Sequence, residues 1–221
     1  MAWLAERRAA VVASYDADAE TYDADEYPTE TQFAWVARVV DLTPPGGVVL
    51  DAPCGTGRYF STVVDAGRHV VGVDQSAGML DRAHRRGLAD SLQQVSLQDL
   101  AFASEFDGVL TVDAMEHVPP EEWPVVLTNL HRAARPGGWL YVTVEEIDDG
   151  AIEDAFRSLV ARGEHAVHGE VVDGDTGGYH FYAGRDRAVG WFEAEGLVIE
   201  DEAVTPYEGW AYRHFLLRGS A

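Results

Sequence analysis

The stretch Val48 to Phe60, V-V-L-D-A-P-C-G-T-G-R-Y-F, constrains the fold of this chain more than any other. An apolar run ends in an acid, turns through two glycines and enters a segment of helical pattern, which predicts a strand, a tight loop and a helix over Gly57 to Ala66, closed by Gly67. Gly55 and Gly57 remove side chains that would keep a ligand off the loop backbone, and N–H groups at the start of a helix face outward there. The strand and loop therefore read as a small-molecule site.

A second apolar run, His69 to Val73, ends in Asp74. An acid at the end of the second strand of a doubly wound sheet accepts hydrogen bonds from ribose hydroxyls, which points to a ligand carrying a nucleoside. The loop departs from the dinucleotide fingerprint G-x-G-x-x-G, because Phe60 stands where the third glycine belongs. A nicotinamide-dependent oxidoreductase is thus supported only by the glycine turn and Asp74.

The rest of the chain alternates between the two periodicities. Helices are predicted over Ala2 to Ala19, Thr31 to Leu42, from Ser76 through Arg86, from Pro119-Pro120 to Arg135, over Ala151 to Ala161 and over Arg185 to Glu195. Strands are predicted over Gln93 to Leu97, Asp107 to Val112 and Trp139 to Val144, with an antiparallel pair at Val198 to Val204 and Tyr212 to Arg218. Gly163 to Tyr182 is rich in glycine, histidine and acids, and its tail G-G-Y-H-F-Y reads as one strand of a small hairpin or cover.

In this arrangement the residues resemble the class I S-adenosylmethionine-dependent methyltransferases, in their small-molecule branch. The first motif of that family, D-x-G-x-G-x-G, stands here as Asp51, Ala52, Pro53, Cys54, Gly55, Thr56 and Gly57, with Pro53 in place of the first glycine. Proline donates no hydrogen bond, which changes the set of amides that reach the methionine part of the cofactor. Asp74, Ser76, Met79, Leu80 and Ala83 match D-x-S-x-x-M-L-x-x-A; Asp113-Ala-Met-Glu-His-Val-Pro matches the fourth motif, and Arg135-Pro-Gly-Gly the turn before the fifth strand.

The resemblance implies a Rossmann-like, doubly wound seven-stranded sheet, mostly parallel with an antiparallel last strand and helices on both faces. It implies S-adenosylmethionine as cofactor, held by Asp51, Ala52, Pro53, Gly55, Gly57, Asp74, Gln75, Met79 and Asp113, with Asp99 and Leu100 at the adenine. Asp113 can equally cap the turn that follows it. Tyr15-Asp16 and Tyr22-Asp23 resemble Y-D pairs that fold over the cofactor, so Tyr15 is assigned to the cofactor and Tyr22 to cofactor or acceptor; both can also simply cover apolar surface. One domain over residues 1–221 is expected, with a helical lid over 1–43 and a substrate-covering insert over 163–183.

Methyl transfer needs alignment and water exclusion, and an acidic or protonated acceptor also needs a base. His117, after the fourth strand, and His180, in the insert, are the leading candidates together with Tyr22; His165 and His168 follow, and each histidine can instead serve in packing or on the surface. Glu116 can orient His117, hold a substrate ammonium or sit in solvent. Tyr179, Tyr182, Tyr207, Trp210 and Tyr212 can wall a flat acceptor or belong to the core. No metal site is expected, since no cysteine pair occurs and His165-x-x-His168 falls in a loop.

The charge of −22, with all 16 basic residues arginine, argues against nucleic acid and anionic membranes as partners. No apolar run has the length of a signal peptide core or a membrane span, and the single cysteine, Cys54, reads as a packing residue, so a cytoplasmic protein is expected. A cofactor-binding protein without transferase activity is the remaining reading. Acceptor and oligomeric state are left open by the sequence.

Overall fold

The structure, a computed structural model, describes residues 2–24, 29–172 and 178–219. Its centre is β1 (Val48–Asp51), which lies parallel to β2 (His69–Asp74) on one side and to β4 (Phe106–Thr111) on the other. β3 (Ser91–Gln94) extends the β2 side, and β5 (Ala134–Ile147) extends the β4 side. β9 (Trp210–Arg218) inserts antiparallel between β5 and β8 (Val198–Tyr207), giving the order β3-β2-β1-β4-β5-β9-β8. The sheet is thus seven-stranded and mostly parallel, with the last strand antiparallel.

Val49 and Leu50 are fully buried because both faces of the sheet are covered, as an apolar parallel strand requires. On one face α2 (Glu30–Leu42) and α3 (Phe60–Asp65) bring Val36, Val39, Phe60 and Val63 against the strands. On the other, α5 (Trp123–Ala133) and α7 (Arg185–Ala194) contribute Trp123, Leu127 and Phe192. A Thr29–Gln32 capping box starts α2. Ser76 Oγ accepts from Met79 N–H to start α4 (Ala77–Arg86), and Gly87 closes that helix.

Over the carboxyl ends of the parallel strands lie α1 (Ala2–Asp18) and a two-stranded sheet of β6 (Glu170–Val172) and β7 (Tyr179–Phe181), the latter supported by α6 (Asp149–Ala161). The hairpin expected from G-G-Y-H-F-Y is therefore present, paired through Val171 and His180. Residues 25–28 of the expected lid and 173–177 of the expected insert fall outside the described residues.

Several boundaries differ from the sequence reading, among them the start of β5 at Ala134 in place of Trp139 and of β9 at Trp210 in place of Tyr212. The helix after the glycine loop begins at Phe60 and not at Gly57, because Gly57 holds φ +76°, a left-handed conformation that no helix continues. The third strand is Ser91–Gln94, two residues earlier than the pattern suggested, and Leu97–Asp99 is a 3-10 turn. Pro119 and Pro120 build a turn in which Glu122 N–H donates to the Pro119 carbonyl, so α5 starts only at Trp123.

Candidate active site

The strand order reverses at β1, between its neighbours β2 and β4, and a crevice opens there above the carboxyl edge, where open α/β sheets bind ligands. Its floor is the loop after β1. Cys54 N–H donates to the Val73 carbonyl at 2.8 Å, and Gly55 N–H donates to Asp74 Oδ2 at 2.9 Å, which ties the loop to the end of β2. Ser76 N–H donates to the other Asp74 oxygen at 2.8 Å. The carboxylate is held by these amides and lines the crevice, with acceptor capacity beyond these bonds. Burial pushes the Asp74 carboxyl up to about 6, against the lowering effect of its backbone donors.

The two glycines of the loop divide the work. A side chain at Gly55, at φ +51°, would meet no protein atom within 4 Å, and Gly55 lines the crevice. A Cβ at Gly57 would lie 2.5 Å from the Phe60 ring. Phe60 is fully buried beneath the loop, against Gly57 and Gly72, in the space where a dinucleotide fingerprint would carry its third glycine. Asp51 sits behind the loop with both carboxylate oxygens buried and without a hydrogen-bond partner, and burial drives its carboxyl well up toward the neutral form.

The crevice has a volume of about 900 Å³, its open mouth included. Of the residues singled out in the sequence, Tyr15, Tyr22, Pro53, Gly55, Asp74, Gln75, Asp113 and His117 line it. Asp51, Ala52, Gly57, Met79 and Leu100 lie behind it in the packed interior or loop, and Asp99 faces solvent, accepting from Ser96 Oγ. In place of Asp99 and Leu100 the wall is built by Val95, Ser96, Leu97 and Gln98, a consequence of the earlier end of β3. Arg8 also reaches the wall, held through Glu122, which accepts from Gln98 Nε2 as well. Arg8 carried no sequence signal, while Val11 was recognisable only as an apolar-face position of α1.

A second cavity, of about 820 Å³ with its mouth, adjoins the first and shares with it Val11, Tyr15, Tyr22, Asp113 and His117. Its remaining walls include Glu116, Glu145, Tyr179, His180 and Tyr212. Asp113 stands in the shared wall at φ +52°, a left-handed conformation that aspartate tolerates better than most residues, and its N–H donates to Thr143 Oγ1.

His117 is the best-defined side chain of that wall. Its Nδ1 lies 3.1 Å from the Tyr179 carbonyl, which only accepts, so Nδ1 carries the hydrogen and donates. Nε2 therefore offers a lone pair, and Tyr15 O–H donates to it at 2.6 Å. Burial, with His180 nearby, lowers His117 to about 4 and keeps the ring neutral. Tyr15 and Tyr22 are pushed up by burial, Tyr22 to about 12, and stay protonated. His165 stacks on Trp3 and His168 lies near Phe156, away from both cavities.

Comparison with known proteins agrees with this geometry. The model of a methyltransferase domain family matches residues 49–138, the segment from β1 to the turn before the body of β5. A ubiquinone biosynthesis O-methyltransferase of Xanthomonas axonopodis pv. citri is 26% identical over 178 residues, covering 78% of this chain and 71% of that protein. Phosphoethanolamine N-methyltransferase 2 of Caenorhabditis elegans is 32% identical over 127 residues, 53% of this chain but 28% of that protein. The fold of a Burkholderia thailandensis 1,6-didemethyltoxoflavin-N1-methyltransferase superposes with a TM-score of 0.75, at 19% identity, over 99% of this chain and 91% of that one.

The doubly wound sheet, the crevice at its switch point and the acid on β2 fall within or beside the segment that matches the methyltransferase domain. Residues 49–138 carry a methyltransferase domain, and the fold around it is that of S-adenosylmethionine-dependent methyltransferases of known structure. The crevice suits that cofactor chemically: its polar wall is rich in acceptors, Asp74 and the Tyr15 and Tyr22 oxygens among them, matching ribose hydroxyls and a sulfonium, and open space above Gly55 admits close backbone approach. Nothing corresponding supports a nicotinamide enzyme, since Phe60 fills the place of the third glycine.

Proposed function

We propose that the protein transfers a methyl group from S-adenosylmethionine to an oxygen or nitrogen of a small metabolite, with the cofactor in the first cavity and the acceptor in the second. The observation that carries this division is the shared wall, in which Tyr15, Tyr22, Asp113 and His117 face both spaces. Asp74 and Gln75 would hold the ribose, Ser96, Leu97 and Gln98 the adenine, and Tyr15 and Tyr22 would close over the junction. When bound, the cofactor would supply an electrophilic methyl carbon on a sulfonium, for transfer to an acceptor lone pair with the sulfur leaving as a neutral thioether.

The chain's own part is alignment, dryness and the acceptor's proton. Tyr15 oxygen would receive that proton while its own passes to His117 Nε2, which is neutral and bears the free lone pair; Tyr179 carbonyl and the His117 Nδ1 hydrogen keep the ring in this tautomer. His180, 4.7 Å from His117 between ring centres, is the second candidate on the acceptor side. The aromatic walls of Tyr179, His180 and Tyr212 favour a flat acceptor. Residues 1–43 would act as a lid and 163–183 as an acceptor cover.

No described helix is long and apolar enough to cross a membrane, and the acid excess disfavours nucleic acid and anionic lipid as partners. The cytoplasm is the proposed setting. The test is incubation with methyl-labelled S-adenosylmethionine and a panel of phenols, carboxylic acids, amines and N-heterocycles. Label transfer to at least one acceptor, abolished by Asp74→Ala, is expected. Cofactor binding without transfer to any acceptor would favour a binding protein without transferase activity.

A further inference from the structure

The second cavity has an unusual charge balance. Glu116 is 2% exposed, lines this cavity, and is reached on one side only: Tyr212 O–H donates to Oε1 at 3.2 Å, while Oε2 is buried with no hydrogen-bond partner. Asp113 and Glu145 line the same space. Among the described residues no arginine lines it, lysine is absent from the chain, and residues 173–177 (D-G-D-T-G) add no basic side chain in sequence. Among the described residues, no arginine therefore stands in the cavity wall to pair with the lone carboxylate oxygen.

A buried carboxylate oxygen without a donor costs free energy in proportion to its charge, and the described part of the chain does not relieve that cost. Burial, then Glu145 and Asp113, drive the Glu116 carboxyl well up; burial and Asp113 push Glu145 up to about 7. Such groups are ready to ionise when a positive ligand arrives and to reject an anionic one. The described residues bring no three His, Cys, Asp or Glu side chains into an arrangement that would hold a metal ion. Tyr212 adds aromatic surface, which attracts cations over its face, while the Tyr179 ring already carries the Arg7 guanidinium 5.1 Å from its centre.

We infer that the acceptor site is built for a flat molecule bearing a cationic or strongly hydrogen-donating nitrogen, which Glu116 and Glu145 hold at the wall shared with the cofactor cavity. Free carboxylates and phosphate esters are excluded as acceptors by the same groups. This deepens the proposed function and rests on its assignment of the second cavity to the acceptor.

Three probes of one shape and three charges test it: benzylammonium, benzyl alcohol and benzoate, titrated calorimetrically into the full chain with and without S-adenosylhomocysteine. Benzylammonium is expected to bind at least tenfold tighter than benzyl alcohol, and benzoate not measurably. Glu116→Gln should reduce the preference for the cation to threefold or less through loss of benzylammonium affinity; Glu145→Gln, less buried, should do the same where Glu116→Gln does not fold.

Benzoate binding as tightly as benzylammonium, no binding of any probe, or a full cation preference in both variants would overturn the inference. So would magnesium or manganese ions that bind and displace benzylammonium, which would give the carboxylates to a metal. Failure of the homocysteine form to bind would instead strike the proposed function, while the probe preference is scored independently in the titrations without it.

Discussion

The loop after β1 offers a test in which the same chemical change, two residues apart, has two different consequences. Gly55→Ala and Gly57→Ala each place a Cβ on a residue of positive φ, at +51° and +76°, and each loses ~1–2 kcal/mol for that conformation. There the likeness ends. At Gly55 the new methyl meets no protein atom within 4 Å, so the conformational term is the whole stability cost, and the methyl enters space a ligand needs. At Gly57 it would sit 2.5, 2.6 and 3.1 Å from three carbons of the fully buried Phe60 ring. Relieving that overlap requires Phe60 or the loop to move, at ~1–3 kcal/mol more.

Urea unfolding should therefore show Gly57→Ala losing ~2–5 kcal/mol against ~1–2 for Gly55→Ala. Shrinking the ring in a Gly57→Ala/Phe60→Leu double variant should return part of the loss, with a coupling energy of at least ~1 kcal/mol in the double-mutant cycle. Calorimetry should find the larger loss of S-adenosylhomocysteine affinity in Gly55→Ala, by tenfold or more. Equal destabilisation by the two alanines, or additive Gly57 and Phe60 effects, would refute the assignment of Gly57 to packing and of Gly55 to the ligand.

Further predictions concern the residues above the loop. Because burial pushes the Asp74 carboxyl up to about 6, its ionised form is lost as pH falls through that range, so affinity for S-adenosylhomocysteine should drop below pH 6 and be flat above it; in Asp74→Asn it should be weak throughout, as calorimetry across pH 5–8 would reveal. Folding stability carries the opposite sign for this group: a carboxyl raised above its unfolded value near 4 contributes stability at low pH that disappears as pH rises through 6, and Asp74→Asn should flatten that part of the urea-midpoint profile. Tyr15→Phe removes the hydroxyl that donates to His117 Nε2, and once an acceptor is found it should lower kcat by ~10²-fold or more, the usual scale of proton-transfer assistance, with a smaller loss in cofactor affinity. Asp16, which accepts from Ser76 Oγ at 2.5 Å and from Gly78 N–H at 2.9 Å, fastens α1 to the start of α4; Asp16→Ala should cost ~1 kcal/mol and speed proteolytic cleavage within α1.

The parts of this molecule that were legible in its sequence are those built from short spans. The strand, the glycine loop, the acid on β2 and the Ser76 cap are each fixed by neighbours a few positions apart, and the architecture of the sheet is what the family resemblance of the motifs implies. Positions set by long-range packing were not legible. Tyr15 and His117 are 102 residues apart, and nothing in either segment announces a hydrogen bond between them. Phe60 reads as an absent glycine, yet its ring is what makes Gly57 necessary. Gln93 to Leu97 alternates, while the strand itself, Ser91–Gln94, is an exposed edge with little apolar pattern, so the pattern points to Asp99 and Leu100 where Ser96, Leu97 and Gln98 form the cavity wall.

The central claim is that the crevice between the loop after β1 and Asp74 holds S-adenosylmethionine. Calorimetric titration of S-adenosylhomocysteine into the full chain at pH 7.5, with NADH as control and Asp74→Ala beside the unaltered protein, addresses it directly. The account predicts saturable binding of the homocysteine form at one site per chain, none of NADH, and loss of at least tenfold in affinity in the variant. Binding of NADH, of neither ligand, or undiminished binding by Asp74→Ala would contradict it.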